Sequence, residues 1–286
     1  MIEQLTNKVG DTMNNFFDKF EKDQKLNLFT GDFLSKITGY PTRLEIAESV
    51  LSDIKQSAKG YIKNINSLAE TSQTYLDAVV NSKKGLIKHI REIFDLKHHK
   101  NVEIYSDIFN SGYFEAIFTM NYDVIIERLF ANLVSVSTPL KPSKTTEGKI
   151  RFYKIMGTIY NSEDLFLTSQ DIRKLKVLEF YKDFFNNLSL ELTSRPTIFL
   201  GVDLKDPDFL NMLDFLLSMT KNNEQPVYVV TSTSIIDPKV TDFINKYNIK
   251  LTTLSEKELL ANLHTVIDAD GAIYCPSGRY GCRVSD

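Results

Sequence analysis

The chain has almost no cysteine and no tryptophan. Its two cysteines, Cys275 and Cys282, both lie close to the C-terminal end, so a tetrahedral site of four thiolates is excluded and no CxxC pair exists. Histidine is sparse as well. The four histidines, at 89, 98, 99 and 264, fall outside every strand-and-turn motif described below, and His98-His99, set between lysines, read as a solvated loop. No apolar run approaches the length of a membrane span, and the first residues lack the apolar core of a signal peptide. A cytoplasmic protein that leaves the membrane alone is expected. Nor is there an excess of positive charge: 34 Lys and Arg against 37 Asp and Glu give a net charge of −3. That balance supplies no general attraction for phosphate backbones, so direct nucleic-acid binding is not expected.

What is present suits an ordinary α/β protein. At 286 residues, 42% hydrophobic and 25% charged, the chain can bury a full α/β core. Leu5, Val9, Met13, Phe16, Phe17 and Phe20 at helical spacing predict an N-terminal helix within residues 1–24. Residues 25–268 form the main domain and 269–286 a tail of different composition, read as a weakly ordered end rather than a disulfide loop or metal site. Strands are expected at 25–30, 116–119, 151–155, 165–168, 197–201 and 227–232. Helical patterns fill 122–134, 169–194, 209–220 and 238–247. Such alternation predicts a Rossmann-like fold, a mostly parallel sheet with helices on both faces. A long helical stretch without strands, about 58–110, reads as a helical insert. Residues 138–149, with two prolines and several Lys, Ser and Thr, form the expected exposed loop.

Four segments combine a strand end with polar or glycine-rich chemistry. Gly31–Pro41 follows a strand and precedes a helix starting near Arg43. There, backbone N–H groups can approach a pyrophosphate, or the segment is an ordinary turn. Phe33 stands where a second glycine would permit that approach. Thr119-Met120-Asn121-Tyr122-Asp123 ends a strand with an amide and a carboxylate, which either position a water or ribose hydroxyl or cap the next helix. Lys154-Ile155-Met156-Gly157 repeats the strand-then-glycine pattern with a thioether, which moves no protons. Thr197–Phe209 is a buried strand, a turn at Gly201, and a helix start at Asp206-Pro207.

In this order the four segments resemble the sirtuin-like superfamily, in particular the bacterial sirtuin-like domains that destroy NAD+ during antiphage defence. Gly31–Ser35 with Gly39-Tyr40-Pro41-Thr42 is similar to the family's Gly-Ala-Gly-x-Ser loop and downstream Gly-x-Pro. Thr119–Asp123 is similar to Thr-x-Asn-Tyr-Asp, Lys154–Gly157 to Lys-Ile-His-Gly, and Phe199–Phe209 to Phe-x-Gly-x-Ser-Leu-x-Asp-Pro-x-Phe. The resemblance runs from about Lys25 to Leu254. It implies NAD as cofactor, no metal, catalytic roles for Asn121 and Asp123, and cofactor contacts from Gly31, Ser35, Thr119, Gly157, Gly201 and Asp203. It also marks three departures. Met156 replaces the catalytic His, Phe33 the second loop glycine, and Asp203 the Ser near the ribose or phosphates. Losing a general base costs about 100- to 10,000-fold in rate. Protein deacetylation is disfavoured further, since the zinc module of deacetylating sirtuins has no cysteines to build it.

The leading expectation is therefore a defence-associated sirtuin-like domain that binds NAD+ weakly and is impaired in hydrolysing it. It would act as a regulatory or scaffold subunit in a homo-oligomer or larger defence complex. The alternative is an active NAD+ glycohydrolase, relying on Asn121 and Asp123, that depletes NAD+ in abortive infection. A third class is a relative in fold alone, with an unrelated ligand.

Overall fold

Strand formers at the centre of this chain are buried on both sides, and that dictates a parallel sheet between helical layers. A computed structural model describes residues 15–21, 23–95, 100–143, 146–220, 225–230 and 237–270. Its seven strands are β1 (Leu26–Thr30), β2 (Phe114–Thr119), β3 (Val134–Ser137), β4 (Ile150–Lys154), β5 (Thr197–Leu200), β6 (Val227–Val230) and β7 (Lys250–Leu251). They lie in the order β3-β4-β2-β1-β5-β6-β7, and every pairing is parallel. All five residues of β1, Leu-Asn-Leu-Phe-Thr, are buried, as a central strand requires. The nitrogen of its one amide, Asn27, donates to the carbonyl of Glu191 at 2.7 Å, while Oδ1 is buried with no partner among the described residues.

Six helices separate β1 from β2: α1 (Asp32–Ile37), α2 (Arg43–Ser52), α3 (Gln56–Lys59), α4 (Leu68–Tyr75), α5 (Lys83–Asp95) and α6 (Ile104–Asn110). The remainder are α7 (Ile125–Leu129), α8 (Ser169–Val177), α9 (Glu179–Thr193), α10 (Pro207–Ser218), α11 (Pro238–Lys246) and α12 (Glu256–Asp270). Local chemistry sets several of their starts. Thr42 and Glu45 form a reciprocal capping box on α2, and Thr168 and Asp171 another on α8. Asp206 and Asp237 each cap a helix whose next residue is proline.

An aromatic row fixes the strands relative to one another. Phe199, Phe29, Phe118 and Tyr153 stand abreast in register on β5, β1, β2 and β4. Their ring centroids are 5.1, 6.2 and 5.1 Å apart in that order, and Phe209 of α10 meets Phe29 edge-on at 5.3 Å. Cross-strand aromatic pairs of this kind stabilise a sheet beyond the area they bury. One residue further along, Leu200, Thr30, Thr119 and Lys154 are mutual partners. The carboxyl ends of the motif-bearing strands thus share one edge, as a common site requires.

The structure corrects several sequence expectations. Gly31–Pro41 is not simply a loop: α1 begins at Asp32, directly after Gly31. The helix expected over 122–134 shrinks to α7, because Val134 opens β3 beside β4. Residues 165–168 form no strand. Leu165 makes a single antiparallel bridge with Gly157, and Thr168 turns to cap α8. The helical pattern over 169–194 breaks at Leu178, which is extended. The helical stretch over about 58–110 is likewise interrupted, with a wide turn at Leu76–Val80 closed by Asn81 in the left-handed region at φ 52°. Of the expected N-terminal helix only a short 3₁₀ turn, Phe16–Lys19, falls within the described residues. His98, His99, residues 231–232 and Cys275 and Cys282 lie outside them. Among the described residues no helix is long and apolar enough to cross a membrane.

Phe118 is fully buried in the middle of the aromatic row. Phe118→Ala is expected to lower stability by about 3–5 kcal/mol. The half-exposed Leu178 at the helix break should tolerate Leu178→Ala within about 0.5 kcal/mol. Urea unfolding followed by circular dichroism measures both.

Candidate functional site

Gly31 leaves the end of β1 with so little room that a side chain is impossible: a Cβ there would lie 2.4 Å from the carbonyl oxygen of Gly201. Gly201 itself adopts φ +63°, and a Cβ on it would meet the Cβ of Phe33 at 2.1 Å. The turns after β1 and β5 are therefore pressed together, with Phe33 seated on Gly201. The Phe33 N–H donates to the Gly201 carbonyl at 3.2 Å. The aromatic ring thus stands where an open glycine loop would admit a pyrophosphate.

From β2, Asn121 joins the same corner. Its amide nitrogen donates to the Gly31 carbonyl at 3.1 Å and to Ser35 Oγ at 2.8 Å. Ser35 in turn donates to Asp123 Oδ2 at 3.1 Å, while Asp123 Oδ1 accepts the N–H of Ile125 at 3.2 Å. Thr119 Oγ1 donates to the Thr30 carbonyl at 3.1 Å and accepts the Asn121 N–H at 3.0 Å. Both amide hydrogens of Asn121 are engaged, and the Asp123 carboxylate holds both Ser35 and the start of α7. Lys154, also buried, donates to the Asp123 carbonyl and pairs with Glu127 at 2.8 Å. Burial pushes the Glu127 carboxyl upward against the pull of that lysine.

The third and fourth segments contribute less than expected. Gly157, at φ +75°, packs against the backbone of Asp164. Met156 is 1% exposed, a core residue. Asp203 is exposed and caps the Lys205 N–H at 2.8 Å, although it borders the cleft. Gly31, Ser35, Thr119, Asn121, Asp123 and Gly201 are therefore brought together, Asp203 stands at the rim, and Gly157 lies apart.

Sequence reasoning missed the residue that occupies the middle. Arg43, at the first position of α2, is 6% exposed. Its Nε donates to Asp206 at 2.8 Å, one terminal nitrogen to Asp208 at 3.1 Å, and the other to the Tyr122 hydroxyl at 3.2 Å. Its backbone N–H donates to Asp32 Oδ2 at 3.0 Å. Asp208 also accepts from Ser67 at 2.7 Å and the Ala69 N–H at 2.9 Å. A signal was available: an arginine in the first turn of a helix opposes the macrodipole and calls for nearby carboxylates.

The cluster is unbalanced, with Asp32, Asp206 and Asp208 around one guanidinium. Although part of Asp32 reaches solvent, its Oδ1 is buried with no partner among the described residues. Burial pushes its carboxyl up to about 7, against the pull of Arg43, and neighbouring Asp206 and Asp203 add to the rise. Burial also raises the Asp208 carboxyl and pushes the Tyr122 hydroxyl up to about 12. What remains between Thr30, Gly31, Asp32, Arg43, Asn121 and Asp206 is a cavity of about 20 Å³. That is room for about one water, whereas small-molecule sites run from about 300 to 1,000 Å³.

Residues 115–252 match the family model described as SIR2-like domain. The match supports a sirtuin-like family and an NAD-related function. It spans β2 to β7 and takes in the Asn121, Met156 and Gly201 segments, while β1 and the Gly31 corner precede it. No curated protein matches the chain. At this corner Phe33 packs on the turn at Gly201, and Arg43 lines the small cavity beside it. Among the described residues no group of three or more His, Cys, Asp or Glu side chains could hold a metal ion.

Two outcomes follow from the Arg43 cluster. Arg43→Met leaves buried carboxylates without their cation and should lower stability by about 3–5 kcal/mol. Adding Asp206→Asn and Asp208→Asn should recover part of that loss in urea titrations. The second outcome concerns pH. An Asp32 carboxyl near 7 when folded, against 3.8 as the ordinary value, makes the native state bind the extra proton. Its ionisation therefore removes stability as pH rises from about 4 to 7. Asp32→Asn should gain on the wild type across that window, by the order of 1–2 kcal/mol at pH 8 after allowance for solvent screening. Unfolding midpoints that keep a constant offset from pH 5 to pH 8 would contradict this.

Proposed function

We propose that this chain is a sirtuin-like domain impaired in NAD+ hydrolysis, acting as a regulatory or scaffold subunit of a bacterial antiphage defence assembly. The observation that carries the catalytic half is the cavity of about 20 Å³ at the strand ends, filled by the chain's own Arg43 and Asp32. A dinucleotide requires Phe33 to leave Gly201 and the Arg43 cluster to part, and both changes break close contacts. The general base expected at 156 is a buried methionine, whose thioether accepts no proton. Asn121 is kept, but its amide hydrogen bonds to Gly31 and Ser35 hold the corner shut. The assembly half rests on the resemblance of the four segments to defence-associated sirtuin-like domains.

The experiment is nicotinamide release from NAD+ by the purified protein, followed by chromatography. Wild type and Asn121→Ala should be indistinguishable and near background. Met156→His alone should add little. Met156→His with Phe33→Gly and Asp203→Ser should give measurable release, removed again by Asn121→Ala. Robust wild-type turnover that disappears in Asn121→Ala would overturn the proposal and install an active NAD+ glycohydrolase in its place.

A further inference from the structure

Helix α5 carries its charges the wrong way round. Lys83 and Lys84 occupy its first turn, where the macrodipole is already positive, and Glu92 and Asp95 lie toward its end, where it is negative. Lys84, Lys88 and Arg91 recur at intervals of four and three residues and so form one stripe. Like charges four residues apart repel. Lys83 is offset by Asp171 at 3.0 Å, which leaves the stripe of Lys84, Lys88 and Arg91. Lys84 makes no ion pair or hydrogen bond among the described residues, and Lys88 meets Glu92 only at 4.0 Å with both side chains largely exposed. Arg91 is anchored through Nε to the Ile159 carbonyl at 2.8 Å, which leaves its terminal nitrogens clear.

The stripe also borders a concavity of about 660 Å³, lined by one face of α5, including Ile87, and by Ser162. That volume lies within the range of small-molecule sites, and it exceeds the strand-end cavity by far. We propose that this groove binds a nucleoside diphosphate-class anion. Its phosphates lie on Lys84, Lys88 and Arg91, and its sugar hydroxyls face Glu92 and Asp95. One helical turn, about 6 Å, separates successive cations, a spacing that two linked phosphates can bridge. The bound anion also offsets first-turn Lys84 against the dipole. A small ligand is favoured over a polynucleotide because the groove ends in carboxylates and the chain is net negative. The inference is independent of whether NAD+ is hydrolysed at the strand ends.

Calorimetry on the full chain tests it with ADP, inorganic pyrophosphate and adenosine. ADP and pyrophosphate should bind, adenosine should not, and added salt should weaken both. Lys84→Glu with Lys88→Glu should reduce ADP affinity at least about tenfold. Lys84→Glu alone, where Glu in the first turn suits the dipole, should keep the melting temperature and still weaken ADP binding. Asn121→Ala should leave ADP affinity unchanged, which separates this groove from the strand-end cleft. Absence of ADP and pyrophosphate binding would overturn the proposal. So would affinity indifferent to the double charge reversal, affinity lost in Asn121→Ala, or an oligonucleotide that displaces ADP at lower concentration.

Discussion

Arg43 holds together parts of the chain that nothing else joins so directly. A buried guanidinium is tolerable only when its donors all find acceptors, and here they come from α10 through Asp206 and Asp208 and from the end of β2 through Tyr122. Asp208 extends the connection to the start of α4 through Ser67 and Ala69. Tyr122 extends it to the carbonyl of Phe166 at 3.0 Å. The helical segment between β1 and β2 is thereby fastened to the strand ends of the sheet. The fastening runs beside the small cavity at those strand ends.

Structure and chemistry at this corner pull against each other. Two carboxylates pair with one guanidinium, and a third, Asp32, accepts the Arg43 backbone N–H and has a buried oxygen without a partner among the described residues. Burying uncompensated charge is unfavourable, which is why the Asp32 carboxyl rises toward neutrality. The glycines at 31 and 201 behave differently. In an open nucleotide site such glycines let a ligand approach the backbone. Here the same lack of side chains lets two turns and a phenylalanine approach each other. One sequence feature thus supports either an open or a closed cleft, depending on what fills the space.

The sheet and its edge were legible in the sequence because period, burial and strand formers agree there. Leu26–Thr30, Phe114–Thr119 and Thr197–Leu200 are short apolar runs ending in polar or glycine residues, and each became a parallel strand. Short elements with mixed signals were less legible. Val134–Ser137 alternates too briefly to stand out from the helix before it, and it is a strand because β4 offers it a partner. Leu165–Thr168 has strand composition, yet Thr168 and Asp171 find a better arrangement in a capping box. Asp206 and Arg43 each read as ordinary helix-terminus residues. Only their approach across 163 positions made them an ion pair.

By itself, then, the sequence determined the parallel α/β sheet, the common edge for its motifs, and the thioether at Met156. Each follows from local pattern or from residue identity, which no folding can alter. The tertiary structure decided whether that edge is a cleft. Phe33 packing on Gly201, and Arg43 reaching Asp206 and Asp208, depend on distances between segments far apart in the chain. Side-chain volume and charge pairing at such contacts are set by three-dimensional proximity, which the order of residues does not display.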